Sequence, residues 1–66
     1  DKLTINLMDD IITSVNVIDF SGLILNTINC KSESIVLNLS ALNSGFYFIR
    51  IKTLSGKNIS TKIIKV

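Results

Sequence analysis

The chain has 66 residues, enough for one domain, and seven Lys and Arg against five Asp and Glu leave a net charge of only +2. One cysteine excludes an internal disulfide, and without histidine or a second ligand near Cys30 a metal staple has no donor set. The basic residues are dispersed and not interleaved with stacking aromatics, so nucleic acid is not an expected partner.

A domain this small buries about 60% of its unfolded surface and needs a dense apolar core or a partner. Hydrophobic residues make up 47% of the chain, which supplies the core and points to apolar surface that something else covers. No apolar run approaches the length of a membrane-spanning helix, roughly 20 residues. Asp1 is not followed by a charged and then apolar leader, so the chain reads as a segment cut from a longer protein.

Period-2 alternation dominates from the first residues on. Leu3, Ile5 and Leu7 alternate with Thr4, Asn6 and Met8 as a first strand, and Asp9-Asp10 marks a turn. Val15 and Val17 alternate with Asn16 and Ile18 in a second strand ending near Asp19. A third covers residues 23–28. Asp19-Phe20-Ser21-Gly22 would join these two as a hairpin, with Gly22 at the turn position that needs positive φ. Residues 29–34 are polar and read as a loop. Ile35, Leu37 and Leu39 carry a fourth strand, residues 46–53 a fifth, and residues 58–66 a sixth, with Leu54-Ser55-Gly56-Lys57 as a turn. Ser40-Ala41-Leu42 is expected to turn tightly and tuck Leu42 against the core before Gly45 opens the fifth strand. The pattern predicts an all-β fold, a small antiparallel Greek-key or immunoglobulin-like sandwich of about six to seven strands, with a helix-poor α+β fold as the alternative.

Chemistry is scarce. Asp9-Asp10 is the one adjacent carboxylate pair, and neighbouring side chains on an extended segment point apart, which suits a solvated turn better than a catalytic dyad. No serine can have a histidine partner, and Cys30 has neither a base nor a helix N-terminus beside it. The sequence therefore predicts no enzyme and no cofactor. Asn38-Leu39-Ser40 and Asn58-Ile59-Ser60 match a glycosylation sequon, a motif too short to weigh much in an Asn- and Ser-rich chain. Lys57, Lys62 and Lys65 cluster near the end. They read first as protection of an edge strand and second as receptor contacts. Lys62 and Lys65, three apart, should face opposite sides of a regular strand.

The string Leu37-Asn38-Leu39-Ser40-Ala41-Leu42-Asn43-Ser44-Gly45-Phe46-Tyr47-Phe48-Ile49 resembles the "LdlSaLpaGvYfv" core of the type A C-terminal sorting domains of type IX secretion, which end many exported proteins of the Bacteroidetes. Residues 15–22 resemble the family's "v-v-d-x-x-G" hairpin, Leu3-Thr4-Ile5 its opening strand, and Gly56-Lys57 with Lys62-Ile63-Ile64-Lys65-Val66 its terminal strand. The resemblance covers the whole chain in order. It departs at the start, where the family's "YPNP" stretch is absent.

The resemblance implies a signal rather than a catalyst. It implies one domain over residues 1–66, attached behind a cargo that is exported through the periplasm to the cell surface or extracellular space. The implied partners are the type IX outer-membrane translocon, shuttle and sortase components. Carried over by position, the recognition candidates are Gly45, Phe46 and Tyr47 with Lys62, Ile63, Ile64, Lys65 and Val66, while Asp19 and Gly22 belong to a turn needed for folding. Gly45 could serve backbone conformation alone, and Tyr47 packing alone with its hydroxyl at the surface. An exposed sheet edge would also allow self-association. The competing functional readings are an adhesion or carbohydrate-binding module on a surface enzyme and, third, a hydrolase or redox fragment using Cys30.

Overall fold

The computed structural model describes residues 2–66. Six strands form in chain order: β1 (Lys2–Asn6), β2 (Ile12–Asp19), β3 (Ile24–Ser32), β4 (Ser34–Asn38), β5 (Gly45–Thr53) and β6 (Asn58–Lys65). They make two antiparallel sheets, a two-stranded one of β1 and β4 and a four-stranded one ordered β3-β2-β5-β6. No helix occurs among the described residues. The fold is the small all-β sandwich that the alternation predicts. Its two hairpins, β2–β3 and β5–β6, lie in the larger sheet, and the other connections pass between the sheets.

The two sheets meet on the apolar parity of their strands. Val15 and Val17 stand opposite Ile51 and Ile49 across the β2–β5 ladder, and all four are buried. From the smaller sheet, Leu3 pairs with Leu37 and Ile5 with Ile35, and these side chains pack on that layer. Burying each such side chain contributes about 1.5–3 kcal/mol, so the inward faces supply most of the favourable free energy. Leu42 joins the core after a turn in which its N–H donates to the Leu39 carbonyl at 3.0 Å, as expected for the crossover.

β2 starts three residues earlier than its alternation suggests. Ile12 and Val15 are both fully buried although three positions apart, which strict alternation forbids. A bulge resolves this: Ile12 pairs with Thr53 and Ser14 with Lys52, leaving Thr13 as the extra residue, its Oγ1 donating to the Lys52 carbonyl at 3.1 Å.

The polar loop expected over residues 29–34 is overturned, because β3 continues to Ser32. β3 is an edge strand, so Asn29 and Lys31 can face water while the backbone stays paired with β2 through Ile12 and Ser14. An edge strand needs little apolar content on its solvent side, and composition therefore hides it. Only Glu33 separates β3 from β4. Its carbonyl accepts the Leu7 N–H at 2.8 Å, pinning the place where the chain changes sheets.

Gly22 has φ +92° and sits in the β2–β3 turn as expected. The Asp19 carboxylate shapes that turn by accepting from the Ser21 N–H at 2.9 Å, the Ser21 hydroxyl at 2.6 Å and the Leu23 N–H at 3.0 Å. The Ser21 hydroxyl, above all, holds the Asp19 carboxyl below its ordinary pKa.

Candidate functional site

The residues singled out at the Gly45 end and at the chain terminus are far apart in sequence yet adjacent in space. In the β5–β6 ladder Gly45 pairs with Lys65, Phe46 with Ile64, Tyr47 with Ile63 and Phe48 with Lys62. Because paired residues share a face, this ladder end is divided in two. Phe46, Ile64 and Lys62 lie on the outer face, and Tyr47, Ile63 and Lys65 turn inward.

The outer half is open to solvent. Phe46 is 48% exposed and Ile64 is 65% exposed, values that a core role does not explain. The Lys62 Nζ lies 4.5 Å from the centroid of the Phe46 ring, close enough for a cation–π contact worth about 0.5–1 kcal/mol at an exposed site. Val66, the last candidate, is fully exposed beyond the end of β6.

The inner half is built into the fold. Tyr47 is buried, and its hydroxyl is not directed to solvent but donates to the Asn43 carbonyl at 2.7 Å. A tyrosine at the start of a strand that bonds back to the backbone a few residues upstream fixes a corner between strands. Lys65 is half-buried and its ammonium donates to the Leu39 carbonyl at 2.8 Å, tying the terminal strand to the crossover that leads into β5. Gly45 has φ +149°, while a Cβ built there would meet nothing within 4 Å. Its requirement is therefore one of backbone conformation, not space. The opposed facing of Lys62 and Lys65 is as the spacing predicts.

Phe46 and Tyr47 also line an open groove of about 620 Å3 between the β4–β5 connection and the β2–β3 hairpin. Phe20 and Leu25 form its other wall. Leu25 is there because the β2–β3 register slips between Val17 and Ile18, which leaves it as an extra residue.

Two surface residues that the sequence reading passed over lie beside this end. Phe48 and Ile24 flank Ile18 on the outer face and are 41% and 51% exposed, whereas Ile18 between them is only 7% exposed. A signal was present in Phe46-Tyr47-Phe48-Ile49, which is apolar at both parities and so announces a strand with two apolar faces.

The remaining chemistry-bearing residues have structural surroundings. Asp9 and Asp10 part company: Asp9 is exposed, while Asp10 accepts from the Ile11 N–H at 2.8 Å and from the Ser55 hydroxyl at 2.5 Å. Those bonds, led by that of Ser55, pull the Asp10 carboxyl down to about 2 and join the start of β2 to the β5–β6 turn. Cys30 is half-buried with its thiol 3.4 Å from the Ile12 carbonyl. Asn38 uses its side-chain oxygen to accept the Ser40 N–H at 3.0 Å, so that sequon is also local turn chemistry.

What this geometry offers is shaped surface: a ladder end that exposes an aromatic, an aliphatic and a cation on one side and is tied to the core and the crossover on the other. That defines a small β-sandwich recognition module. The chain belongs to the family described as secretion system C-terminal sorting domains, whose model matches residues 1–66. It is a sorting signal of type IX secretion, the route by which Bacteroidetes pass cargo across the outer membrane to the cell surface or extracellular space. The domain interacts with that machinery and is attached to a cargo protein. The adhesion or carbohydrate-binding reading is not supported. Searches of the curated proteins and of the solved structures returned no match.

Proposed function

We propose that the end of the β5–β6 ladder is the part of this domain that the secretion machinery reads, and that it is read as a folded surface with no catalysis by the chain. The observation that supports this is the register pairing Phe46 with Ile64 and Phe48 with Lys62. It brings Phe46 of the Gly45-Phe46-Tyr47 element together with Lys62 and Ile64 of the terminal strand as one exposed patch. In this reading residues 1–66 are a single domain carried behind a larger cargo. Shuttle and translocon components engage the patch in the periplasm, and a sortase then removes the domain by cutting upstream of the sandwich. Phe46, Ile64 and Lys62 make the contacts. Gly45, Tyr47 and Lys65 hold the shape that presents them, Ile63 packs the ladder onto the core, and Asp19 and Gly22 form the hairpin facing it.

The test fuses residues 1–66 with a native upstream linker to a periplasmic reporter in a type IX host. Lys62→Ala combined with Ile64→Thr is expected to cut export although the domain stays folded and melts only about 4–7 °C lower for the lost cation–π contact, whereas Lys65→Ala should lower the melting temperature and leave the exposed patch in place. If the wild-type fusion folds but stays in the periplasm, the sorting function fails for this chain. If the Lys62→Ala, Ile64→Thr variant exports normally, the patch is not the one that is read and Lys62 only protects an edge.

A further inference from the structure

The outer face of the four-stranded sheet extends well past the ladder end, and its composition is one-sided. Following the register across the sheet, one row is Ile24, Ile18, Phe48 and Lys62, and the next is Thr27, Asn16, Arg50 and Ser60. A third row sets Ser14 and Asn58 on either side of Lys52. The face thus carries an apolar end formed by Phe46, Phe48, Ile24 and Ile64, continued by a polar end with Arg50 and Lys52, and Lys62 standing at the junction. No described carboxylate lies in these rows. Asp9 and Asp10 are in the β1–β2 connection, Glu33 is at the sheet change, and Asp19 pairs with Tyr47 on the inner parity. Asp19 does border the groove beside Phe46, but its carboxylate is occupied by Ser21 and Leu23.

We infer that this whole face docks onto a partner protein that presents an apolar patch bordered by Asp and Glu side chains. The inference rests on the proposed ladder-end recognition and names the chemistry on the other side of it. A net charge of +2 conceals the segregation, since three of the cations share one face and the carboxylates lie elsewhere. Complementary charge of this kind steers encounter and rejects wrong partners. A second copy of the chain fits poorly, because its own copy of this face brings no carboxylate to meet Arg50, Lys52 and Lys62. An anionic bilayer fits less well than a protein. Phe46 and Phe48 are half-covered by their neighbours, which leaves little free aromatic surface to insert, and three cations add only about 1 kcal/mol each at such a surface.

The experiment uses Arg50→Glu with Lys52→Glu, two positions outside the ladder-end patch, and Arg50→Gln with Lys52→Gln as the variant that keeps the fold if reversal disturbs it. Lys57→Glu in the β5–β6 turn is the charge control. Export of the reporter fusion should fall by about tenfold or more in the reversed variant and less in the neutral one, and stay at wild type in the control. All three should melt with the parent. Wild-type export of the reversed, folded variant would overturn the inference while leaving the ladder-end proposal standing, and loss of export in the wild-type fusion would fail the underlying reading instead. Two further measurements are decisive against it. One is cosedimentation of the free chain with vesicles of phosphatidylglycerol and phosphatidylcholine that charge reversal abolishes. The other is a dimer in sedimentation equilibrium that charge reversal dissociates.

Discussion

Replacing Tyr47 by phenylalanine removes one oxygen and separates two roles for this residue. In the folded chain the hydroxyl donates to the Asn43 carbonyl at 2.7 Å while the ring is 7% exposed, so the ring would keep its packing and only the bond would be lost. A neutral hydrogen bond contributes about 0.5–1.5 kcal/mol net, and Asn43 is exposed, so water can partly replace the lost donor and the lower half of that range applies. A domain of this length has an unfolding entropy that makes 1 kcal/mol correspond to about 7 °C in melting temperature. Tyr47→Phe should therefore melt roughly 4–7 °C below the parent, followed by circular dichroism at 218 nm or so, the usual β-sheet region, with urea unfolding of unchanged slope as a check. Export of the reporter fusion should be retained, because the exposed Phe46, Ile64 and Lys62 are untouched. An unchanged melting temperature would refute the structural role of the bond. Lost export with an unchanged melting temperature would show that the hydroxyl is read by the partner and not by the fold.

Gly45→Ala should destabilise the chain by about 1–3 kcal/mol through its backbone angle alone. A synthetic chain with D-alanine at position 45 should recover most of that loss, since the space around a Cβ there is open; equal losses for both enantiomers would refute the backbone explanation. For Asp10 the sign follows from a folded-state pKa lowered from 3.8 to about 2. Its contribution is complete above the unfolded value and is lost as pH falls from about 4 toward 2. Ser55→Ala removes the largest cause, so thermal unfolding measured across that window should show a shallower acid loss than in the parent. An identical pH profile in Ser55→Ala would contradict the assignment.

The elements and the family were legible before any coordinates. Period-2 alternation placed all six strands, because each strand of a sandwich buries one face and exposes the other, and the inward residues at Leu3, Ile5, Val15, Val17, Leu37, Ile49 and Ile51 are legible from that alone. The Asp19–Gly22 turn was equally legible, since only its own four residues and Leu23 are involved. What alternation cannot contain is a change of period or a strand that hardly needs one. The Thr13 bulge, which lets Ile12 and Val15 share a face, and the polar run of β3 to Ser32 were therefore set by pairing with neighbouring strands. The site divides the same way. Its residues could be named from resemblance, but their facing and company depend on a ladder between segments nearly twenty residues apart. It took the folded chain to show that Tyr47 and Lys65 are held by backbone carbonyls of the crossover, while Phe46, Ile64 and Lys62 are left outside. Hydrogen bonds to a carbonyl of another segment leave no mark in composition, and so the line between what holds this domain together and what it presents was drawn by the fold.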